Sequence, residues 1–219
     1  MYLPKHFEQQ DLESLTALVK AYPLGTLVTQ LEGTIEANHI PFLLEGTLAT
    51  GGKLIGHVAK GNPVWKDITS AQESLIIFQG PEAYITPNWY PSKQVHHQVV
   101  PTYNYAVLHV YGTLSVTHDE AAKRRIVESL TTSMEQARQS MWRVSDAPDD
   151  YIEKMLNAIV GIELTITRIQ AKWKVSQNRD AADREGVARG LSSADSSSRD
   201  KLMGVIVQHG KGIGIEPTN

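Results

Sequence analysis

The sequence predicts a mainly β protein with peripheral helices, built as an antiparallel barrel rather than a doubly wound nucleotide fold. Three observations predict it. Runs of strand character follow one another from Leu24 to Ala59 and from Leu75 to Thr117, joined by short turns instead of helices. Helical spacing is concentrated at residues 11–22, at 119–159 and beyond 178. Between the last two, Ile162-Glu163-Leu164-Thr165-Ile166-Thr167 alternates apolar and polar side chains, the two-residue period of a half-buried strand.

In chain order, Leu12, Leu15, Leu18, Val19 and Tyr22 lie at helical spacing, and Pro23 ends that helix. Strands are expected at Leu24–Gln30, Thr34–Leu44, Leu48–Thr50 and Lys53–Ala59, with Gly51-Gly52 as a two-residue hairpin turn because both positions tolerate positive φ. Asn62-Pro63 predicts a helix start, since Asn caps well and Pro suits the first helical position. Leu75-Ile76-Ile77-Phe78 reads as a strand buried on both faces, ending at Gly80-Pro81 and resuming from Ala83 to Thr86. A loop rich in Pro, Trp, Tyr and His covers 87–102, and a long strand runs from Tyr103 to Thr117. Helices are expected at Asp119–Trp142, Asp149–Ile159, 180–190 and 199–208, with a strand from Ile162 towards Val175 and a serine-rich linker at Ser192–Ser198. This organises the chain as one domain over 1–191 with helices inserted at 119–159, followed by a tail over 192–219.

Composition removes whole classes of function. The 219 residues, 41% apolar and 21% charged, suit a folded domain and exclude wholesale disorder. A net charge of −3 gives no chain-wide basic footprint for nucleic acid. The absence of cysteine eliminates disulfides, thiolate metal sites and Cys nucleophiles, and is compatible with a reducing compartment. No apolar run approaches the ~20 residues of a membrane span, and Met1 to Phe7 lacks the apolar core of a signal peptide, so a cytoplasmic location is expected. Gly210-Lys211-Gly212-Ile213-Gly214 fits neither phosphate-loop template and is expected to be a flexible tail. His96-His97 is the one close histidine pair, with no HExxH and no Gly-x-Ser-x-Gly elbow, so neither a metal site nor a serine hydrolase is indicated.

Six segments carry more information taken together. They are Met1–Phe7, Ala37-Asn38-His39-Ile40-Pro41-Phe42, Gly56–Trp65, Phe78–Lys93 (with Thr86-Pro87-Asn88-Trp89-Tyr90-Pro91 at its centre), Val100–Tyr105, and Gly161–Glu163 continuing through Lys172-Trp173-Lys174-Val175-Ser176-Gln177-Asn178-Arg179. In this order they resemble the PaiB-type family, FMN-binding negative transcriptional regulators of bacterial type, over residues 1 to about 191. The resemblance implies an FMN-binding split β-barrel related to pyridoxamine-phosphate oxidases and flavin reductases, with FMN at the interface of a homodimer. Tyr103 stands where the family pattern usually has Trp, which retains an aromatic ring and loses an indole N–H.

FMN requires cations and N–H groups for its phosphate, and apolar walls with a few polar groups for its ring. Lys60 and Asn62 are the first candidates for the phosphate: a cation at a strand end, then a helix N-terminus contributing about 0.3–1 kcal/mol towards an anion. The bland reading is a capped helix with a solvated lysine. Asn38 shares a strand face with Ile40 and Phe42, His39 with Ala37 and Pro41, and alternation lets only one of the pair face the flavin. His57 is a candidate ligand of phosphate or ring, or a satisfied core histidine. Asn104 could offer an amide to the ring and Tyr103 could cover its face, against a reading of both as barrel core, which is preferred for Tyr105. Lys172 and Lys174 alternate as a solvated strand face would, or reach the phosphate with Gln177 and Arg179 beyond them. Trp89, with Tyr90 and Lys93 on the same loop, is a candidate for the pocket mouth or the dimer contact. Lys123-Arg124-Arg125 is the tightest basic cluster, ordinarily a wet helix face, and the best candidate for direct contact with DNA phosphates.

Three functions follow from this reading: an FMN-binding regulator or flavin-linked sensor, an FMN-dependent oxidoreductase or flavin reductase, and an interaction domain without flavin. No catalytic acid or base is assigned, because a flavin carries its own redox chemistry.

Overall fold

The computed structural model describes residues 1–31, 33–66, 68, 72–139, 141–193 and 196–209. Seven strands form one sheet: β1 (Leu24–Leu31), β2 (Thr34–Pro41), β3 (Leu43–Glu45), β4 (Lys53–Ala59), β5 (Glu73–Ile85), β6 (Thr102–Thr117) and β7 (Ile159–Lys174). Their order is β2-β1-β5-β6-β7-β4-β3, and the ladders β1–β2, β1–β5, β3–β4 and β4–β7 are antiparallel. The helices are α1 (Leu12–Ala21), the four-residue α2 (Lys93–His96), α3 (Glu120–Ala137), α4 (Asp149–Asn157), α5 (Ala181–Leu191) and α6 (Ser198–His209). Among the described residues, no helix is long and apolar enough to cross a membrane.

Local chemistry accounts for most boundaries. Gly33 takes φ 84° in the turn from β1 to β2, a conformation open to glycine without steric cost. Asp119 caps α3 by accepting from the Ala122 N–H at 2.8 Å, and Asp180 caps α5 by accepting from the Asp183 N–H at 2.8 Å. α3 stops well short of Trp142, and Gln139 just beyond it takes φ 55°.

Four expectations need correction. Thr34–Leu44 is two strands, because Pro41 has no N–H for the ladder and Phe42 turns inward, its N–H donating to the Pro23 carbonyl at 2.8 Å. Leu48–Thr50 is turn rather than strand, with Leu48 buried and Gly46 and Gly51 both at positive φ, so a longer loop replaces the two-residue hairpin. β5 runs unbroken through Gly80-Pro81 and buries chiefly one face, with Ile76 and Phe78 inside and Leu75 and Ile77 half-buried. Asn62 caps a single 3-10 turn, Pro63–Trp65, rather than a helix.

Two compact units divide the chain. The first comprises Met1–Ala21, Gln79–Leu108 and the described residues from Gln170 onward; the second comprises Tyr22–Phe78 and His109–Ile169. Strands β5, β6 and β7 contribute to both. The first unit buries Leu15, Leu18, Trp173, Val187 and Leu191, together with Met203, Ile206 and Val207 of α6. The C-terminal stretch from 192 thus contains a helix with a buried face; the Gly-rich run at 210–214 lies outside the described residues. In the second unit Gly25 leaves room for Phe42 and Phe78, whose rings meet edge to face at 6.4 Å, and α3 packs Ile126 and Leu130 on Ile55.

Candidate functional site

In the second unit, the register pairs Asn38 with Leu27, which is fully buried, and His39 with Thr26. Cross-strand partners share a face, so Asn38 turns inward and His39 is exposed. The Asn38 Oδ1 accepts from the Asn62 Nδ2 at 2.7 Å, while the Asn62 Oδ1 accepts from the Val64 N–H at 3.0 Å. Asn62 therefore spends its carbonyl and one amide hydrogen on tying the turn after β4 to β2. A 3-10 turn of three residues also lacks the aligned peptides of a helix dipole. Lys60 is exposed, and among the described residues its amine has no ion-pair partner.

His57 pairs in register with Gly161. A Cβ at Gly161 would come within 2.6–2.9 Å of Thr117 and Ile126, so His57 lies on the strand face that α3 covers. Its Nδ1 is buried without a partner among the described residues, and burial holds the imidazole below its ordinary pKa, hence neutral. A neutral ring offers a phosphate no charge.

The first unit holds the other group. Lys172 is buried, its Nζ donating to the Tyr2 carbonyl at 3.1 Å and lying 5.5, 5.9 and 5.6 Å from the ring centroids of Tyr2, Phe7 and Tyr105. The expected solvated strand face is thus a cation held among aromatic rings, and Tyr105 is one of its walls rather than core. The Lys174 Nζ donates to the Thr102 Oγ1 and the Tyr103 carbonyl. Burial, then Lys172 and Arg179, depress its pKa. Arg179 lies 4.7 Å over the Tyr90 ring. Among the described residues, none of these three cations has an ion-pair partner.

Asn104 is 1% exposed; its Nδ2 donates to the Ser176 Oγ at 2.9 Å, and its Oδ1 has no partner among the described residues. Tyr103 is 56% exposed and meets Tyr84 edge to face at 5.7 Å. Gln177 folds back, its Oε1 accepting from the Val175 N–H at 2.7 Å and its Nε2 donating to the Trp173 carbonyl, so its amide closes the turn after β7. Sequence reasoning missed Thr102 and Ser176 as partners. Both lie inside segments that carried the resemblance, and Ser176, at φ 64°, marks the sharp turn there.

Two further expectations change. The Trp89 indole packs on Gly190 of α5. Lys123-Arg124-Arg125 is a wet face only in part: Lys123 is 5% exposed with its Nζ donating to the Leu156 carbonyl at 2.6 Å, Arg124 is half-buried, and Arg125 is exposed and paired with Glu45. Lys123 sits three and seven residues before Ile126 and Leu130, on the stripe α3 buries, and a buried amine offers nothing to DNA.

These residues fit a flavin mononucleotide. Three clustered cations without an ion-pair partner among the described residues leave positive charge for a phosphate, and the exposed Tyr103 offers an aromatic wall for the ring. Bound FMN supplies the redox chemistry; the chain holds, orients and shields it.

Comparison with known proteins agrees. Residues 1–168 match the family described as "Putative FMN-binding domain". The protease synthase and sporulation protein PAI 2 of Bacillus subtilis is 31% identical, over 92% of this chain and 94% of its own length. An uncharacterized protein of the fungus Emericella nidulans is 31% identical over 96% and 98%, so the likeness is not confined to bacteria. Among solved structures, the flavocytochrome Anf3 of Azotobacter vinelandii shares the fold at a TM-score of 0.56, with 14% identity over 78% of this chain and 72% of that one. The mainly β split-barrel fold with peripheral helices is thus the one expected, and the chain belongs to the PaiB-type FMN-binding family, with FMN as its cofactor.

Proposed function

We propose that this chain is a flavin-linked regulatory protein, working as a homodimer, that grips the FMN phosphate with Lys174 and Arg179 and lays the exposed Tyr103 against the ring, with Asn104 on the opposite, buried face of the strand. The observation that carries the reading is the trio Lys172, Lys174 and Arg179, a positive cluster with no ion-pair partner among the described residues, the nearby Asp183 carboxylate being bonded to Ser92. Like charges held together cost energy that a dianion would recover. Lys172 is buried among three rings, while Lys174 and Arg179 are only half-buried, which leaves these two as the phosphate's partners. Lys60 is the weaker candidate, because its neighbouring turn has spent most of its polar groups internally.

A regulatory role is supported by the relative named for protease synthesis and sporulation. Direct DNA contact through α3 is disfavoured by the burial of Lys123 and by the net charge of −3. Regulation would then follow the state of the flavin rather than duplex phosphates. Half-exposed strand tyrosines, Tyr84 and Tyr103, suit the aromatic centre of a dimer contact.

The experiment is the absorption spectrum of the protein as isolated, with its mass in solution. A yellow dimer whose colour is not turned over by NADH or NADPH supports the reading. Catalytic bleaching would make it an oxidoreductase, a colourless monomer that ignores added FMN would end it, and promoter binding that weakens steeply with salt would restore direct DNA contact.

A further inference from the structure

Beyond the family-matched residues 1–168, α5 grips a loop that belongs to them. A Cβ on Gly186 would lie 2.0 Å from the Trp89 carbonyl oxygen, and one on Gly190 would lie 2.3–2.6 Å from indole carbons of Trp89. Neither position tolerates a side chain without moving the loop. One turn earlier, the buried Asp183 carboxylate accepts from the Ser92 N–H at 3.1 Å and the Ser92 Oγ at 2.7 Å. Between these anchors Tyr90, 2% exposed, carries the Arg179 guanidinium over its ring at 4.7 Å. Arg179 stands in the turn leading to α5, its N–H donating to the Ser176 carbonyl at 3.0 Å.

We infer that α5 is the positioning element of the cationic site: Asp183, Gly186 and Gly190 seat the strap Trp89–Ser92, and the strap fixes Arg179 beside Lys174 through the Tyr90 ring. The inference rests on the reading of Lys174 and Arg179 as the phosphate's partners, and adds a second ring of residues that touch no ligand. The charged groups about Lys174 are Lys172 on its own strand and Arg179 from the turn, with Asp183 of α5 acting on Tyr90. Displacing the strap loosens Arg179, removes its share of the repulsion on the Lys174 amine, which burial and Lys172 still depress, and slackens the phosphate grip together.

The test uses purified holoprotein with lysines isotope-labelled at the ε-carbon. In Gly190→Ala the amides of Trp89, Tyr90 and Ser92 exchange faster, the Lys174 amine titrates closer to an ordinary lysine, and FMN is released about tenfold faster. Ser92→Ala removes one hydrogen bond without a clash and shifts all three readouts the same way by a smaller factor, which covers the case of a poorly folded glycine variant. The inference is overturned if the Trp89, Tyr90 and Ser92 amides exchange faster while Lys174 titration and FMN release stay at wild-type values. Should the wild-type protein hold no FMN, the flavin reading fails by itself, and the Lys174 titration still decides whether α5 positions Arg179.

Discussion

Two segments end a strand with cations, and they differ in what their side chains are already doing. At the end of β4 and after it, Asn62 is bonded to Asn38 and to Val64, His57 is half-buried and neutral, and Lys60 stands in solvent. Around the end of β7, Lys172 and Arg179 press on a half-buried Lys174, and none of the three has an ion-pair partner among the described residues. The first segment is closed on itself. The second is unbalanced, and imbalance rather than mere charge marks where an anion belongs. A lysine in water is already satisfied; a half-buried lysine repelled by its neighbours is not.

The largest effect expected from this contrast is in Lys174→Met. Losing one charge-assisted bond to phosphate costs about 1.5–3 kcal/mol, so FMN affinity measured by flavin fluorescence should fall roughly 10- to 100-fold. Next comes Asn62→Ala, which removes a cap and the tie to β2. It should lower stability by about 1 kcal/mol in denaturant melts with flavin content nearly unchanged; flavin loss from a well-folded Asn62→Ala protein would reverse the ranking of the two segments. Lys60→Ala should weaken FMN only about two- to threefold, as an exposed charge in high dielectric does.

The smallest effect is on pH. Burial holds His57 and His109, both in the second unit, below the ordinary histidine value of 6.5. Above 6.5 neither folded nor unfolded chain protonates them, and their contribution is intact. As pH falls through 6.5 the unfolded chain takes up protons that the fold refuses, so stability declines until the folded values are passed. Thermal melts from pH 8 to 5.5 should slope downward, and His57→Asn should flatten part of the slope; an unchanged slope in that variant would show that His57 is not the group responsible.

Much of this was legible in the residues. Period-two alternation located β7, and runs of strand character located β4 and β6. Alternation could not choose between Asn38 and His39, because it gives two faces and not which is inside; that depended on the register with Leu27. Gly80-Pro81 looked like a break, yet β5 passes through it, with Gly80 admitting Leu18 and Ala106 at 2.6–3.3 Å from where a Cβ would be. The basic triplet on α3 misled because charge was weighed ahead of spacing, although Lys123 shares the stripe of Ile126 and Leu130. Lys172 among Tyr2, Phe7 and Tyr105 could not be foreseen, since its partners come from the start and the middle of the chain, far from it in sequence.

The most direct test compares affinity for FMN with affinity for riboflavin, which differ by the phosphate alone, in wild type, Lys174→Met and Lys60→Ala. Wild type should prefer FMN at least tenfold; the preference should collapse towards unity in Lys174→Met and persist in Lys60→Ala. A preference that survives the loss of Lys174 and disappears with Lys60 would place the phosphate at the other strand end.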